Sequence, residues 1–285
     1  MRALNQNVRT YTATLGAGLQ PQPTQQVPDF GPLLGISIDL TVSLTGATAS
    51  QTSQTIDNVI SHFALDDRAG KSIADLMGTD LSVINDVLQP RGVRSLPPAI
   101  TTNSSGAGSA EWKLFLPISV ELKDMPALLR VTFNAESALQ NAGLVSAGTA
   151  SVTLLVRGWY DTMGNGPTLR IKASSPPHQA GDNTLSPYLP DGFQAEALAF
   201  TLAAGDSALG YVTLMHRGAS FASLQPPNDF VDADTMLMQS GHLSGEFIGR
   251  YPVWVVDSTT VLTVNLVTDT VIRLYSIATV PQKRE

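Results

Sequence analysis

The feature that most constrains the fold is a strict alternation of apolar and polar residues over nine positions, the segment ISIDLTVSL from Ile36 to Leu44. A two-residue period places every apolar side chain on one face of a β-strand, whereas a helix would distribute them around its surface. The segment therefore predicts a strand with one face in a core and the other toward solvent.

Comparable segments recur along the chain, and clusters of Gly, Pro, Asn and Asp separate them. Further strands are predicted over residues 56–65, 111–122, 128–133, 151–160, 197–202, 209–215, 249–256, 261–267 and 271–280. Only residues 79–92 show apolar residues at helical spacing, with Thr79 or Asp80 as a cap and Pro90 and Gly92 as a stop. The pattern predicts an all-β fold, a sandwich or barrel, with one short amphipathic helix and a second helical turn near residues 136–143.

Composition shifts divide the 285 residues into four parts. Residues 1–32 are polar and proline-containing, which predicts an extended N-terminal arm. Residues 33–160 and 193–285 carry the predicted strands and form two β-barrel units. Residues 161–192 are dense in Gly, Pro, Asp and Asn, which indicates a linker or crossover loop between the units.

A weak internal repeat supports two units built on one plan. The segment GKSIADL (residues 70–76) matches GASFASL (residues 218–224) at four of seven positions, and each copy follows a predicted strand. The two halves also end on similar β-rich segments, residues 151–157 and 271–277. In a chain rich in Ala, Ser and Gly, a chance match of this length is the alternative.

Composition limits the classes of function. The net charge of −7, a pI of about 5.0 and the absence of a basic cluster argue against direct nucleic-acid binding. The chain has no cysteine, which excludes disulfides and thiolate metal sites. Charged residues make up 14%, well below the average of about 25%, and this favours a surface that lies against other protein.

The tripeptide Gly70-Lys71-Ser72 raises the question of a phosphate-binding loop. That motif requires a glycine five residues before Gly70, where this chain has Leu65, and Asp66 and Asp67 would lie where the anion binds. The stretch instead predicts a tight turn, because aspartates favour turn initiation and glycine permits a positive φ.

No other motif marks out a catalytic or metal site. The carboxylates of Asp229, Asp232 and Asp234 are the best calcium candidates, but their spacing differs from an EF-hand and favours a solvated loop. The four histidines, His62, His178, His216 and His242, have no ligand spacing, so no metal and no cofactor is predicted. Ser244 in GHLSG stands one place too late for a nucleophile elbow.

Two further motifs concern asparagine and tryptophan. Asn103-Ser-Ser105 matches the acceptor triplet for N-glycosylation, although the N-terminal residues lack the apolar core of a signal peptide. The tryptophans Trp112, Trp159 and Trp254 lie in or beside apolar strands, which predicts core positions and not stacking platforms.

The layout of these elements resembles a known family. A polar arm, the alternating strand 36–44, a strand that turns through residues 66–70 toward a short helix at 80–88, and a second β-rich half resemble major capsid proteins of tailless, icosahedral, membrane-containing double-stranded DNA phages. These are the tectivirus, corticovirus and sphaerolipovirus-like lineage. The resemblance implies jelly-roll β-barrels, with two β-barrel units in one chain; the alternative within this lineage is one jelly roll with a smaller β-domain.

The resemblance also implies a function. A capsid shell subunit would lie in the virion, bind other copies of itself and other capsid proteins, and carry out no catalysis. The internal membrane of such particles is a further candidate partner. Two alternatives remain open: a spike, adhesin or carbohydrate-binding β-sandwich that uses loops 95–109 and 164–192, and a carbohydrate-active hydrolase that uses Asp229, Asp232 and Asp234.

Overall fold

The computed structural model divides the chain into two compact units. The first comprises residues 1–85 and 94–168, and the second comprises residues 86–93 and 169–285. The residues described are 3–88, 96–116, 118–120, 126–140, 148–161, 169–175, 177–185, 194–204, 206–216, 219–224, 251–253 and 260–279.

The first unit consists of strands that precede residue 162, with one helix inserted among them. Its strands are β1 (Ala3–Thr14), β2 (Gln20–Pro21), β3 (Gln25–Gln26), β4 (Leu33–Thr45), β5 (Thr52–Thr55), β6 (Ile60–Asp66), β7 (Ser72–Leu76), β8 (Ala99–Thr101), β9 (Gly108–Leu116), β10 (Leu128–Phe133) and β11 (Thr149–Asp161). Helix α1 spans Gly78–Leu88, and 3₁₀ turns span Ile56–Val59 and Glu136–Leu139.

The second unit has the same kind of composition, and it takes in the last residues of α1, 86–88. Its strands are β12 (Leu169–Ser174), β13 (Pro177–His178), β14 (Gly181–Leu185), β15 (Gln194–Leu202), β16 (Leu209–His216), β17 (Ala219–Leu224), β18 (Tyr251–Val253), β19 (Thr260–Leu266) and β20 (Thr270–Thr279). A 3₁₀ turn spans Asp206–Ala208.

Both units arrange eight principal strands in the same topology. In the first unit the orders are β1-β11-β4-β9 and β2-β10-β6-β7, and in the second they are β12-β20-β15-β18 and β14-β19-β16-β17. Numbered along each unit, both sets read first-eighth-third-sixth and second-seventh-fourth-fifth. This pairing of two antiparallel four-stranded sheets is a jelly roll. The all-β prediction is confirmed, and the chain contains two complete copies of this topology.

The core of the first unit lies between its two sheets. The alternation that opened the sequence is realised in β4, where Ile36, Ile38, Leu40, Val42 and Leu44 are all at most 1% exposed. Burying such a side chain stabilises a fold by roughly 1.5–3 kcal/mol, so β4 contributes strongly to this core. Opposing buried side chains come from the second sheet: Phe63, Leu65, Leu76, Leu129, Val131 and Phe133.

The second unit buries a smaller described set in the same manner. Its buried apolar side chains include Ile171, Leu185, Phe200, Leu202, Val212, Val264, Leu266, Ile272 and Leu274. In β19 the buried Val264 and Leu266 alternate with the half-buried Thr263 and Asn265, the pattern expected of a sandwich with one wet face per sheet.

Most predicted strands are found within one to three residues of their expected bounds, but two predictions are partly wrong. The strand predicted over residues 111–122 ends at Leu116. Ile56–Val59, predicted as the start of a strand, forms a 3₁₀ turn. The side-chain nitrogen of Asn58 donates to the backbone and hydroxyl oxygens of Thr55 at 3.0 Å each. This local bond favours a turn over a ladder.

Helix α1 matches its predicted position but not its predicted exposure. Residues 80–85 are all buried, so the polar side chains of Asp80, Ser82 and Asn85 do not face solvent. Two of them bond to nearby backbone: the Asp80 carboxylate accepts the Met77 N–H at 2.7 Å, and the Ser82 hydroxyl donates to the Thr79 carbonyl at 3.0 Å. Among the described residues, no helix is both long and apolar enough to cross a bilayer.

Two segments that the sequence places outside the barrels contain strands. The arm 1–32 carries β1, which pairs with β11 along eleven registered residues from Ala3 to Thr14 and forms an edge of the first sheet. The segment 161–192, predicted as a linker, carries β12 and β14, the first two principal strands of the second unit.

The internal repeat falls on equivalent strands. Residues 72–76 and 219–224 form β7 and β17, which are the fifth principal strands of their units and the second strands of hairpins with β6 and β16. The segments 151–157 and 271–277 lie in β11 and β20, the eighth strands. A register shift near the end of the fourth strand occurs in both hairpins.

Candidate functional site

The turn that carries Gly70-Lys71-Ser72 is closed by a carboxylate of its own. Oδ1 of Asp67 accepts the backbone N–H of Ala69 at 2.9 Å and that of Lys71 at 2.8 Å. Gly70 has a φ of 76°, which only glycine adopts without strain. A phosphate loop offers such N–H groups to its ligand, whereas here Asp67 takes them and its charge would repel an anion. The turn binds no phosphate in this way.

Two ion pairs lie on the outer face of the sheet that contains β6 and β10. Nη2 of Arg130 is 2.6 Å from Oδ2 of Asp66, whose side chain is only 9% exposed. Nδ1 of His62 is 3.2 Å from Oδ1 of Asp75. Each carboxylate is therefore engaged by its neighbour, so these groups stabilise the hairpin β6–β7 and its junction with β10.

The described residues do not assemble a metal site. No group of three or more His, Asp or Glu side chains that could hold an ion occurs among them. Of the four histidines, His178 places Nδ1 at 3.1 Å from Oδ1 of Asn183. The calcium candidates Asp229, Asp232 and Asp234, together with Ser244 and His242, lie outside the described residues. The calcium interpretation of that cluster stays a prediction.

The tryptophans divide between core and surface. Trp112 is 2% exposed and lies in the core of the first unit, which confirms its prediction. Trp159 contradicts its prediction, because it is half-buried on the outer face of β11. The alternation of β11 contains the signal: the buried positions are even-numbered, from Val152 to Tyr160, so Trp159 shares a face with Arg157. Trp254 lies outside the described residues.

Trp159 belongs to an aromatic outer surface, which we define as Gly35, Ser37, Phe115 and Trp159. The rings of Phe115 and Trp159 meet edge to face, with centroids 6.3 Å apart and an interplanar angle of 87°. The central strand β4 permits this contact because it places Gly35 beneath the Phe115 ring, where any Cβ would collide with it. Nε1 of Trp159 donates to Oγ of Ser37 at 3.1 Å, so the indole has no unmet donor.

Charged side chains border the aromatic outer surface. Nη2 of Arg157 lies 3.1 Å from Oδ2 of Asp39, and both side chains are partly exposed. Lys113 and Glu111 form a more exposed pair on β9, at 3.6 Å. An apolar centre with a polar rim is the usual composition of a protein–protein contact.

A second polar cluster lies on the outer face of the second unit. Oδ1 of Asp182 accepts the Tyr211 hydroxyl and the Asn265 side-chain N–H, each at 2.7 Å. These bonds join β14, β16 and β19. The Asn265 bond, followed by the Tyr211 bond, holds the pKa of Asp182 below its ordinary value, and the bond to Asp182 raises the pKa of Tyr211. The cluster links three strands.

Large apolar side chains are exposed mainly on the connections between strands. They are Leu19, Val267, Met77, Leu96, Phe30, Leu128 and Val271, of which Leu19 is the most exposed at 62%. Isolated exposed apolar residues are normal for any protein.

Comparison with known proteins identifies the fold. No protein-family model and no curated relative matches the sequence. Among solved structures, the major capsid protein of Sulfolobus turreted icosahedral virus is similar with a TM-score of 0.65 and 11% identity, covering 95% of this chain and 97% of that chain. The capsid of PBCV-1 virus is similar with a TM-score of 0.61 and 9% identity, covering 98% and 94%. The major capsid protein P2 of bacteriophage PM2 is similar with a TM-score of 0.54 and 12% identity, covering 100% and 99%.

The matches span whole chains, so the fold resemblance concerns both units together. At 9–12% identity, the sequences have diverged to the level where only the fold is shared. The capsid-protein layout that the sequence indicates is therefore confirmed as a fold: two jelly rolls in one chain.

Proposed function

We propose that this chain is a capsid shell subunit of a virus, which acts by self-association in the virion and not by catalysis. The observation that carries the proposal is the duplicated topology, since two complete jelly rolls in one chain match capsid proteins of three viruses over nearly their full lengths. A single jelly roll would be much weaker support, because that fold hosts many functions.

The surface of the molecule supports a role in protein contacts. Only 14% of residues are charged, and the aromatic outer surface presents an apolar centre with a polar rim. Aromatic side chains contribute a large share of binding energy in interfaces. We propose the aromatic outer surface as one contact between copies of this chain.

Other virion proteins and an internal membrane are finer proposals. The net charge of −7 is compatible with a shell that does not pack directly on nucleic acid, since phosphate contacts require clustered Lys and Arg. Crosslinking mass spectrometry on intact particles would identify neighbouring proteins, and lipid crosslinks would identify a membrane contact.

The decisive experiment is cryo-electron microscopy of native particles. We expect this chain to form the shell lattice, repeated in contact with its own copies. Location of the chain outside the lattice, for example only at a spike, would overturn the proposal. The sedimentation coefficient of the purified protein should also rise with concentration. This rise should be smaller for a Trp159→Ser variant and unchanged for a Val267→Ser control.

One observation favours a second candidate, a carbohydrate-binding adhesin. Trp159 lies on an outer face beside Ser37, Asp39 and Arg157, and sugars bind where an aromatic ring adjoins polar side chains. A glycan array distinguishes the candidates: saturable binding that Trp159→Ala abolishes, in a chain absent from the shell lattice, would favour the adhesin.

A further inference from the structure

The loop between β8 and β9 carries a modification motif that shell assembly does not require. Asn103-Ser104-Ser105 is the only Asn-x-Ser/Thr triplet in the sequence. All three residues are exposed, whereas Thr102 and Gly106 on either side are buried. Such a triplet is the acceptor for N-linked sugars when it lies on an accessible loop.

The side-chain amide of Asn103 is held by three donors on one atom. Oδ1 accepts the Ser105 hydroxyl at 2.7 Å, the Ser105 backbone N–H at 2.9 Å and the Ala107 backbone N–H at 3.0 Å. Nδ2 makes no hydrogen bond to any residue within the described ranges. The oxygen is therefore fixed and the nitrogen is left accessible, and the hydroxyl that the triplet demands already contacts the amide.

This geometry bears on the chemistry of glycosyl transfer. An amide nitrogen is a poor nucleophile because its lone pair is delocalised onto the oxygen. When Nδ2 loses a proton, the negative charge of the resulting imidate develops on Oδ1, where the three donors lie at 2.7–3.0 Å. Donors preorganised at a developing oxyanion lower the barrier in the same way in acyl transfer.

The loop presents the triplet in one conformation. The backbone N–H of Asn103 donates to the carbonyl of Ala107 at 2.9 Å, and the backbone N–H of Gly106 donates to the carbonyl of Asn103 at 3.0 Å. Gly106 has a φ of 72°, and a Cβ there would collide with the carbonyl of Ala47. The acceptor is thus preorganised before any enzyme binds it, which reduces the entropy lost on binding.

We propose that Asn103 is an N-glycosylation site, with a glycosyl diphosphate as the donor class and a transferase encoded by host or virus as the enzyme. Nδ2 gives its proton to a base of the transferase and forms a bond to the anomeric carbon. The bond between that carbon and the diphosphate oxygen breaks, and its electron pair leaves with the diphosphate. The product is a sugar on an exposed loop of the first unit.

The test is peptide mass spectrometry of the protein purified from native particles, alongside variants produced in the same host. We expect the peptide containing Asn103 to carry hexose or N-acetylhexosamine masses. The sugar should be lost in Asn103→Gln and Ser105→Ala and kept in Ser105→Thr. Ser104→Ala is the matched control and should keep the sugar, because Ser104 occupies the middle position of the triplet, where any residue except proline is accepted.

Three results would overturn the proposal: an unmodified Asn103 in native particles, a sugar that survives Ser105→Ala, or a mass gain that corresponds only to deamidation. Ser105→Ala leaves both backbone donors to Oδ1 in place, so its loss of sugar would not reflect a misfolded loop, and thermal unfolding checks this directly. The outcome is independent of shell assembly, since an unglycosylated chain could still form the lattice.

Discussion

Arg130 on β10 reaches Asp66 at the end of β6, and Nη2 lies 2.6 Å from Oδ2. The carboxylate is almost fully buried, whereas the guanidinium is half exposed. Removal of the partner of a buried carboxylate destabilises the folded state, because the carboxylate has lost its hydration and no longer has an ion pair that compensates for it. This contact therefore joins the hairpin β6–β7 to the neighbouring strand.

We expect Arg130→Ala to lower the free energy of unfolding by about 1–3 kcal/mol, reduced from the cost of a fully buried pair because Arg130 remains in contact with water. Urea denaturation measures the change. Lys113→Ala is the matched control: it breaks an exposed pair with Glu111 and should change stability by less than about 0.5 kcal/mol. Equal effects of the two substitutions would contradict the structural role of Asp66.

The closed turn at Asp67 gives a second prediction. Asp67→Ala leaves the N–H groups of Ala69 and Lys71 without their acceptor, so we expect a loss of about 1–3 kcal/mol in urea denaturation. Asp67→Asn keeps an acceptor oxygen and should lose less. ATP should not raise the melting temperature of the wild type; a dose-dependent rise that Lys71→Ala abolishes would restore the nucleotide interpretation.

The strands of the first unit could be predicted because hydrophobic alternation is a local signal. In β4 and β11 the inward residues are apolar and most of the outward residues are polar. The sequence alone therefore predicts both where each strand lies and which of its faces is buried. In β1 the sequence is polar at most positions, and the strand forms because β11 provides its hydrogen-bonding partner. The paired residues are 137 to 158 positions apart in sequence, from Thr14 with Ser151 to Ala3 with Asp161, and no local pattern predicts such a pairing.

The candidate surfaces were harder to predict than the strands. The prediction of a core position for Trp159 rests on its place in an apolar strand, although its phase within β11 places it on the outer face. The contact with Phe115 crosses β4, so it depends on strand order and on Gly35 in the intervening strand. Strand order follows from pairing between residues that are distant in sequence. The internal repeat indicates two similar units, but only the sheet topology gives the strand order within them.

The aromatic outer surface depends on the absence of a side chain at Gly35. In Gly35→Ala the new Cβ would meet the Phe115 ring and would lie 2.8 Å from the backbone oxygen of Leu116. Overpacking of this kind costs roughly 1–3 kcal/mol, and displacement of Phe115 should shift the fluorescence of Trp159. Thermal unfolding and tryptophan emission measure both effects.

Gly18→Ala is the matched control, because a Cβ at that position meets no atom within 4 Å. We expect it to leave the melting temperature and the emission spectrum unchanged. A Gly35→Ala variant that behaves like Gly18→Ala would show that Phe115 and Trp159 are not packed across β4.

The Asp182 cluster predicts a specific pH dependence for the second unit. The bonds from Asn265 and Tyr211 stabilise the ionised carboxylate, so the pKa of Asp182 in the folded protein lies below its ordinary value of 3.8. A depressed carboxyl pKa contributes stability that is present above pH 3.8 and is lost as the pH falls through the lower, folded value. Asp182→Asn removes the titrating group, so the variant should lose less stability than the wild type on acidification below about pH 4. Urea denaturation between pH 2.5 and 6 tests this, and parallel stability profiles for the two proteins would show that these bonds do not form in solution.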